Sequence, residues 1–178
     1  SSTRQEDFIE HLFVASTHNY LLIFTEKGKL FWKQVYEIPE GNKTAKGRPI
    51  QNLINIESDD CVKAVINVLN LKDEDYINNN HIVFCTENGV IKKTLLEQYS
   101  RPRTNGINAI TIREGDTLKE VRLTNGNSNI IIGLQSGRAI RFPEEKVRSM
   151  GRSAAGVRGV TLANDNDKVV GMVCVDKD

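Results

Sequence analysis

Short apolar runs alternate with polar turns along this chain, at intervals that suit strands better than helices. Three segments line up: LLIFTEKGKLFWK from Leu21, HIVFCTENGVIKKT from His81 and IIIGLQSGRAIRF from Ile130. Each has an apolar run, two or three polar residues, a glycine (Gly28, Gly89, Gly137) and a second short run carrying basic residues. That order predicts a β-hairpin, with EKG, ENG and QSG as its turns. Helix signals are weak, and only EEKVRSM and LLEQYS predict a turn or two.

The likeness continues downstream. A second glycine follows the hairpin glycine after 19, 17 and 19 residues: Gly47 in NKTAKGRP, Gly106 in RPRTNGIN and Gly156 in GRSAAGVRG. A short apolar segment comes next in each copy (IQNLINI, INAITI, VRGVTL), then an acidic turn (ESDD, REGD, NDND) and a closing apolar strand (VKAVINV, LKEVRLT, KVVGMVCV). Each copy is thus expected to hold four strands in a fixed order. The hairpin glycines lie 61 and then 48 residues apart, and the polar stretch LNLKDEDYINNN absorbs most of the difference. Four strands in a unit of about 45 residues is what a propeller blade needs. The expectation is an all-β, propeller-like fold of four-stranded blades, about three to four of them. It forms a single domain over residues 1–178, with repeats near 20–68, 80–124 and 129–175. The chain begins with Ser and stops just after an apolar run, which predicts a piece cut from a longer polypeptide.

Charge sharpens this picture. The chain has 24 Lys and Arg against 23 Asp and Glu, a formal net charge of +1. The repeat sorts these charges by position. Bases collect in the second hairpin strand (Lys29 and Lys33, Lys92 and Lys93, Arg138 and Arg141) and in the glycine loop that follows. Acids collect in the other turn (Glu57, Asp59, Asp60; Glu114, Asp116; Asp165, Asp167). Stacked copies would gain one positive and one negative edge, and a polyanion responds to the local edge rather than to the sum. The stretch KVRSMGRSAAGVRGV, residues 146–160, is the extreme case: four bases, three glycines and no acid. A solvated helix face would interleave acids with its bases, and the glycines disfavour a helix in any case.

These features predict binding of duplex DNA through its phosphates, without base reading, because no recognition helix or zinc finger is apparent. The prime candidate contacts are Lys43, Lys46, Arg48, Arg101, Arg103, Arg148, Arg152 and Arg158. Lys92, Lys93, Arg138 and Arg141 come next, since hairpin residues can instead face a neighbouring blade. The rival class is a propeller that docks proteins, which would show an aromatic patch. Only 6% of this chain is aromatic, and Trp32 reads as a packing residue.

Other chemistries find little support. GxSxG, HExxH, P-loop and GxGxxG patterns are absent, so no catalytic residue and no cofactor is assigned. The acidic turns lack EF-hand spacing, and Cys61, Cys85 and Cys174 are too scattered for zinc, so no metal is expected. The cysteines read as buried free thiols of a reducing compartment. No run of about 18 apolar residues occurs, which predicts no membrane partner and no membrane-spanning helix.

Several strings carry a family resemblance. EDFIEHLFVASTHNYLLIFTEKGKLFWKQVYEIPEGNKTAKGRPIQNLINI, GVIKKT, RPRTNGINAI and AIRFPEEKVRSMGRSAAGVRGV strongly resemble the C-terminal domain of bacterial DNA gyrase A. The corresponding C-terminal domain of topoisomerase IV has the same kind of repeat but matches these strings less closely. The resemblance implies a β-pinwheel of about six blades with hairpins exchanged between neighbours. Its basic rim would wrap DNA and so support ATP-driven negative supercoiling. It also implies a cytoplasmic, nucleoid-associated location and partnership with the rest of gyrase A and with gyrase B in an A2B2 enzyme. Catalytic and ATPase machinery would lie elsewhere in that enzyme. The family's glutamine-arginine-arginine-glycine-glycine-lysine-glycine box is absent, and GRSAAGVRG at Gly151–Gly159 resembles a degenerate echo of it. Weaker, incomplete wrapping is the expectation.

Overall fold

The structure, a computed structural model, describes residues 18–35, 50–162 and 166–177. Its first hairpin pairs β1 (Tyr20–Thr25) with β2 (Lys29–Gln34) antiparallel, Ile23 opposite Phe31. On the other side of β1 lies β3 (Val62–Val68). A six-residue helix, α1 (Glu74–Asn79), follows, capped by the Asp73 carboxylate on the backbone N–H groups of Asp75 and Tyr76. The second hairpin, β4 (His81–Thr86) with β5 (Val90–Leu95), leads through the two-residue strand β6 (Ile107–Asn108) to β7 (Leu118–Thr124). The third comprises β8 (Ser128–Leu134) and β9 (Ala139–Pro143), followed by β10 (Val157–Arg158) and β11 (Val169–Asp176).

The three sheets run β3-β1-β2-β6, β10-β5-β4-β7 and β11-β8-β9. The all-β class and the three hairpins agree with the sequence pattern. The assignment of four strands to each copy does not. In the second and third copies the segment after the glycine loop leaves its own sheet and adds to the preceding one, with Ile107 opposite Leu30 and Val157 opposite Ile91. IQNLINI, expected as a strand, instead starts as a 3-10 turn at Ile50–Leu53, and Ile50 and Ile54 pack on Leu21, Ile23, Phe31 and Val35. LLEQYS and EEKVRSM do make single turns, at Leu96–Tyr99 and Glu144–Lys146.

Burial follows from this stacking. On β4, Ile82 and Phe84 join the core shared with the first sheet, whereas Val83 and Cys85 join the core shared with the third. Strands sandwiched on both faces need apolar residues at successive positions, so HIVFCT and VIKKTL are buried almost throughout. Phe24, Phe84 and Tyr99 meet edge-to-face, with centroids 5.4–6.4 Å apart. Trp32 is buried here too, its indole N–H donating to the Tyr99 carbonyl at 2.9 Å. Cys85 lies in the other core, where burial pushes its thiol up to about 12.

The acidic turns act as clamps. The carboxylates of Asp60, Asp116 and Asp167 each accept a backbone N–H from the opposed hairpin turn, at Lys27, Asn88 and Ser136, over 3.0–3.1 Å. Each also accepts the N–H of its own next residue, at 2.8–3.0 Å. One aspartate per copy therefore ties the hairpin tip to the start of the last strand.

The hairpin glycines adopt φ of +91°, +91° and +93°, a region only glycine enters cheaply. At Gly89 the exchanged segment also crowds in, since an added Cβ would lie 2.8 Å from the Val160 carbonyl oxygen. At Gly137 such a Cβ would meet nothing within 4 Å. Gly137→Ala is thus expected to cost only the backbone term, about 1–2 kcal/mol. Gly89→Ala should cost about 1–3 kcal/mol more, through overpacking. Urea unfolding of the two variants checks this, and equal losses would contradict the exchanged packing.

Candidate nucleic-acid interface

The Gly106 and Gly156 loops each join a hairpin to the strand it lends to its neighbour, so each lies at the boundary between two sheets. Gly106 sits against β2, where an added Cβ would come within 2.8 Å of the Leu30 carbonyl oxygen, and Gly156 sits against β5 in the same way, 2.5 Å from that of Ile91. The residues flanking these glycines carry the predicted bases. Arg101 and Arg103 are exposed in the Gly106 loop, Arg148 and Arg152 in the second described loop, that of Gly156, and Arg158 at the end of β10. Lys43, Lys46 and Arg48 lie outside the described residues.

The second loop is held by its backbone. Met150 N–H donates to the Lys93 carbonyl at 2.8 Å, and the Thr111 hydroxyl donates to the Ser153 carbonyl at 2.7 Å. Thr111 N–H reaches the Ala154 carbonyl at 3.3 Å, and the Arg113 guanidinium donates to the Gly156 carbonyl at 3.1 Å. Main-chain acceptors are thereby used within the protein while the arginine side chains remain exposed. Among the described residues, Arg103, Arg148, Arg152 and Arg158 form no ion pair with a carboxylate. Arg101 does, at 2.6 Å from Glu97, an exposed contact of little energetic weight. Exposed Lys146 extends the same acid-free stretch.

The hairpin bases divide. Arg138, just before β9, and Arg141, on β9, are exposed. Lys92 and Lys93 are corrected, because both are buried and their ammonium groups serve internal acceptors. Lys92 Nζ donates to the Ala109 carbonyl at 2.7 Å and to the Arg152 carbonyl, and lies 5.3 Å from the centre of the Phe84 ring. Burial, with Arg152 adding to it, lowers its pKa to about 8. Lys93 Nζ donates to the Glu144 carbonyl at 3.0 Å and lies 3.8 Å from the Glu144 carboxylate. Adjacent strand residues point to opposite faces, so the pair anchors β5 on both sides at once.

The simple sorting of charge is corrected in the first copy. Lys29 pairs with Glu57 at 3.1 Å, and Lys27 pairs with Asp59, so hairpin bases and turn acids meet on one edge. What sets the Gly156 loop apart is arginine without an ion-paired acid among the described residues, whereas Arg101 of the Gly106 loop pairs with Glu97. The sequence reading misses Arg113, which opens the turn REGD among its acids. Its only available signal is a base at a position where ESDD and NDND have none.

The arrangement can present several fixed cations to a polyanion. Comparison with known proteins bears on which one. A family model described as DNA gyrase C-terminal domain, beta-propeller, matches residues 19–79, 80–125 and 135–176. The DNA gyrase A protein of Salmonella typhimurium is 41% identical over 170 residues, 96% of this chain and 19% of its own length. That of Halalkalibacterium halodurans is 44% identical over 159 residues, 89% of this chain and 18% of its own. This chain spans about a fifth of the length of the curated relatives it matches. Among solved structures, a C-terminal domain of DNA topoisomerase IV aligns with a TM-score of 0.78 at 30% identity, over 90% of this chain and 48% of that one. A DNA gyrase A C-terminal domain aligns at 0.70 and 22% identity, over 90% and 49%, which shows the fold alone.

Proposed function

This chain belongs to the DNA gyrase C-terminal domain family, and from that membership we propose that it binds and bends duplex DNA without reading its sequence. Contact runs through Arg101, Arg103, Arg148, Arg152 and Arg158, with Arg138 and Arg141 beside them; Lys43, Lys46 and Arg48 complete the proposed set from outside the described residues. The observation that carries the reading is the acid-free run at residues 146–160, whose arginines are exposed on an anchored backbone. Phosphate contacts position DNA and carry no base information, so any duplex serves. In the intact enzyme the domain is non-catalytic: it curves DNA beside the rest of gyrase A and its partner gyrase B, in the bacterial cytoplasm, and so supports negative supercoiling.

Smooth bending of a short site costs about 1–6 kcal/mol, which contacts on successive blades offset. Ligase-driven circularisation of short random-sequence duplexes tests the bending. The protein should accelerate ring closure, whereas binding without acceleration would leave a module that binds but does not bend. The structural likeness to the topoisomerase IV domain favours a second reading, in which the parent enzyme decatenates rather than supercoils. Supercoiling assays on the full-length enzyme separate the two.

A further inference from the structure

We propose that Lys92 is a positioning residue for the DNA-facing loop, setting the place of Arg152 by holding its carbonyl from inside the protein; the inference rests on the DNA-binding reading above. The ammonium is fully buried yet reaches two main-chain carbonyls distant in sequence, Ala109 and Arg152. Ala109 follows β6, the strand lent to the first sheet, and Arg152 precedes β10, the strand lent to the second. One cation therefore joins both exchanged segments. A neutral core side chain would fill the space but leave the Arg152 carbonyl without this donor, while the Ala109 carbonyl would still receive the Tyr99 hydroxyl. The Arg152 backbone is held inward while its guanidinium carries the same charge as Lys92. Repulsion between the two favours the outward direction that exposure of Arg152 displays.

Tyr99 supplies the contrast. Its hydroxyl donates to the same Ala109 carbonyl at 2.7 Å, and Arg152 has no bond from it. Lys92→Met and Tyr99→Phe thus both remove a buried donor from one junction, but only the first frees the loop.

The experiment measures affinity of the wild-type chain and these variants for a fluorescent random-sequence duplex, with and without Arg152→Ala, on protein shown to be folded by circular dichroism. Lys92→Met should weaken binding about fivefold. Tyr99→Phe should leave binding unchanged, and in the Arg152→Ala background Lys92→Met should have no further effect. Where Lys92→Met does not fold, Lys92→Gln, which retains a donor for one carbonyl, is read in its place. Equal affinity of wild type and Lys92→Met overturns the inference while leaving DNA binding intact. A parallel loss in Tyr99→Phe, or additive losses with Arg152→Ala, also overturns it by showing general loosening. Absence of binding by the wild type overturns the DNA reading and the inference with it.

Discussion

Glu144→Ala is expected to lower the unfolding free energy by about 3–5 kcal/mol, a large share of a domain's stability. The carboxylate is fully buried, with one oxygen accepting Ser128 N–H at 2.7 Å and the other the Thr124 hydroxyl at 2.9 Å. The second oxygen also faces Lys93, whose side chain is 8% exposed. Truncation strands a buried ammonium without its counter-charge and leaves an N–H without its acceptor, and both effects act in the same direction. Because Lys93 belongs to the second sheet and Glu144 to the turn after the third hairpin, the loss falls on the joint between blades. Glu144→Gln retains an acceptor for Ser128 and should cost less. Lys93→Met combined with Glu144→Gln should recover part of the Glu144→Ala loss, because no isolated charge remains. Urea denaturation gives these values. A loss below about 1 kcal/mol for Glu144→Ala would mean that water reaches the pair.

Changing Arg148, Arg152 and Arg158 together to alanine should leave the fold intact, since all three side chains are exposed and none has a carboxylate partner among the described residues. Duplex affinity should fall about a hundredfold at low salt, if each lost phosphate contact contributes about 1 kcal/mol. The loss should be the same for duplexes of any sequence, because phosphate contacts carry no base information. Fluorescence anisotropy on two unrelated sequences measures both points. A loss confined to one sequence would indicate base readout instead.

The hairpins were legible because an apolar run, a polar pair and a glycine encode a turn locally, and Gly28, Gly89 and Gly137 all occupy that position. The spacing to Gly106 and Gly156 was legible for the same reason. Strand exchange was not: β6 and β10 are two residues each, and nothing local says which sheet receives them. The helix α1 had a local signal, Asp73 followed by Glu74 and Asp75, overlooked inside a polar insertion. Lys92 and Lys93 misled because lysine in a hairpin strand ordinarily faces water. Their burial follows from β5 lying between two blades, and the carbonyls that receive them lie as far away in sequence as Arg152 and Glu144. The aspartates of the acidic turns were legible as turn residues, but their clamp on a hairpin 28–33 residues away was not.

Titration of a random-sequence duplex across salt decides whether the arginine loops meet phosphate. Binding should weaken linearly on a log–log plot, and the triple arginine variant should show a slope shallower by about 2–3, near 0.9 per lost contact. An unchanged slope in that variant, or no binding by the wild-type chain at low salt, would contradict it.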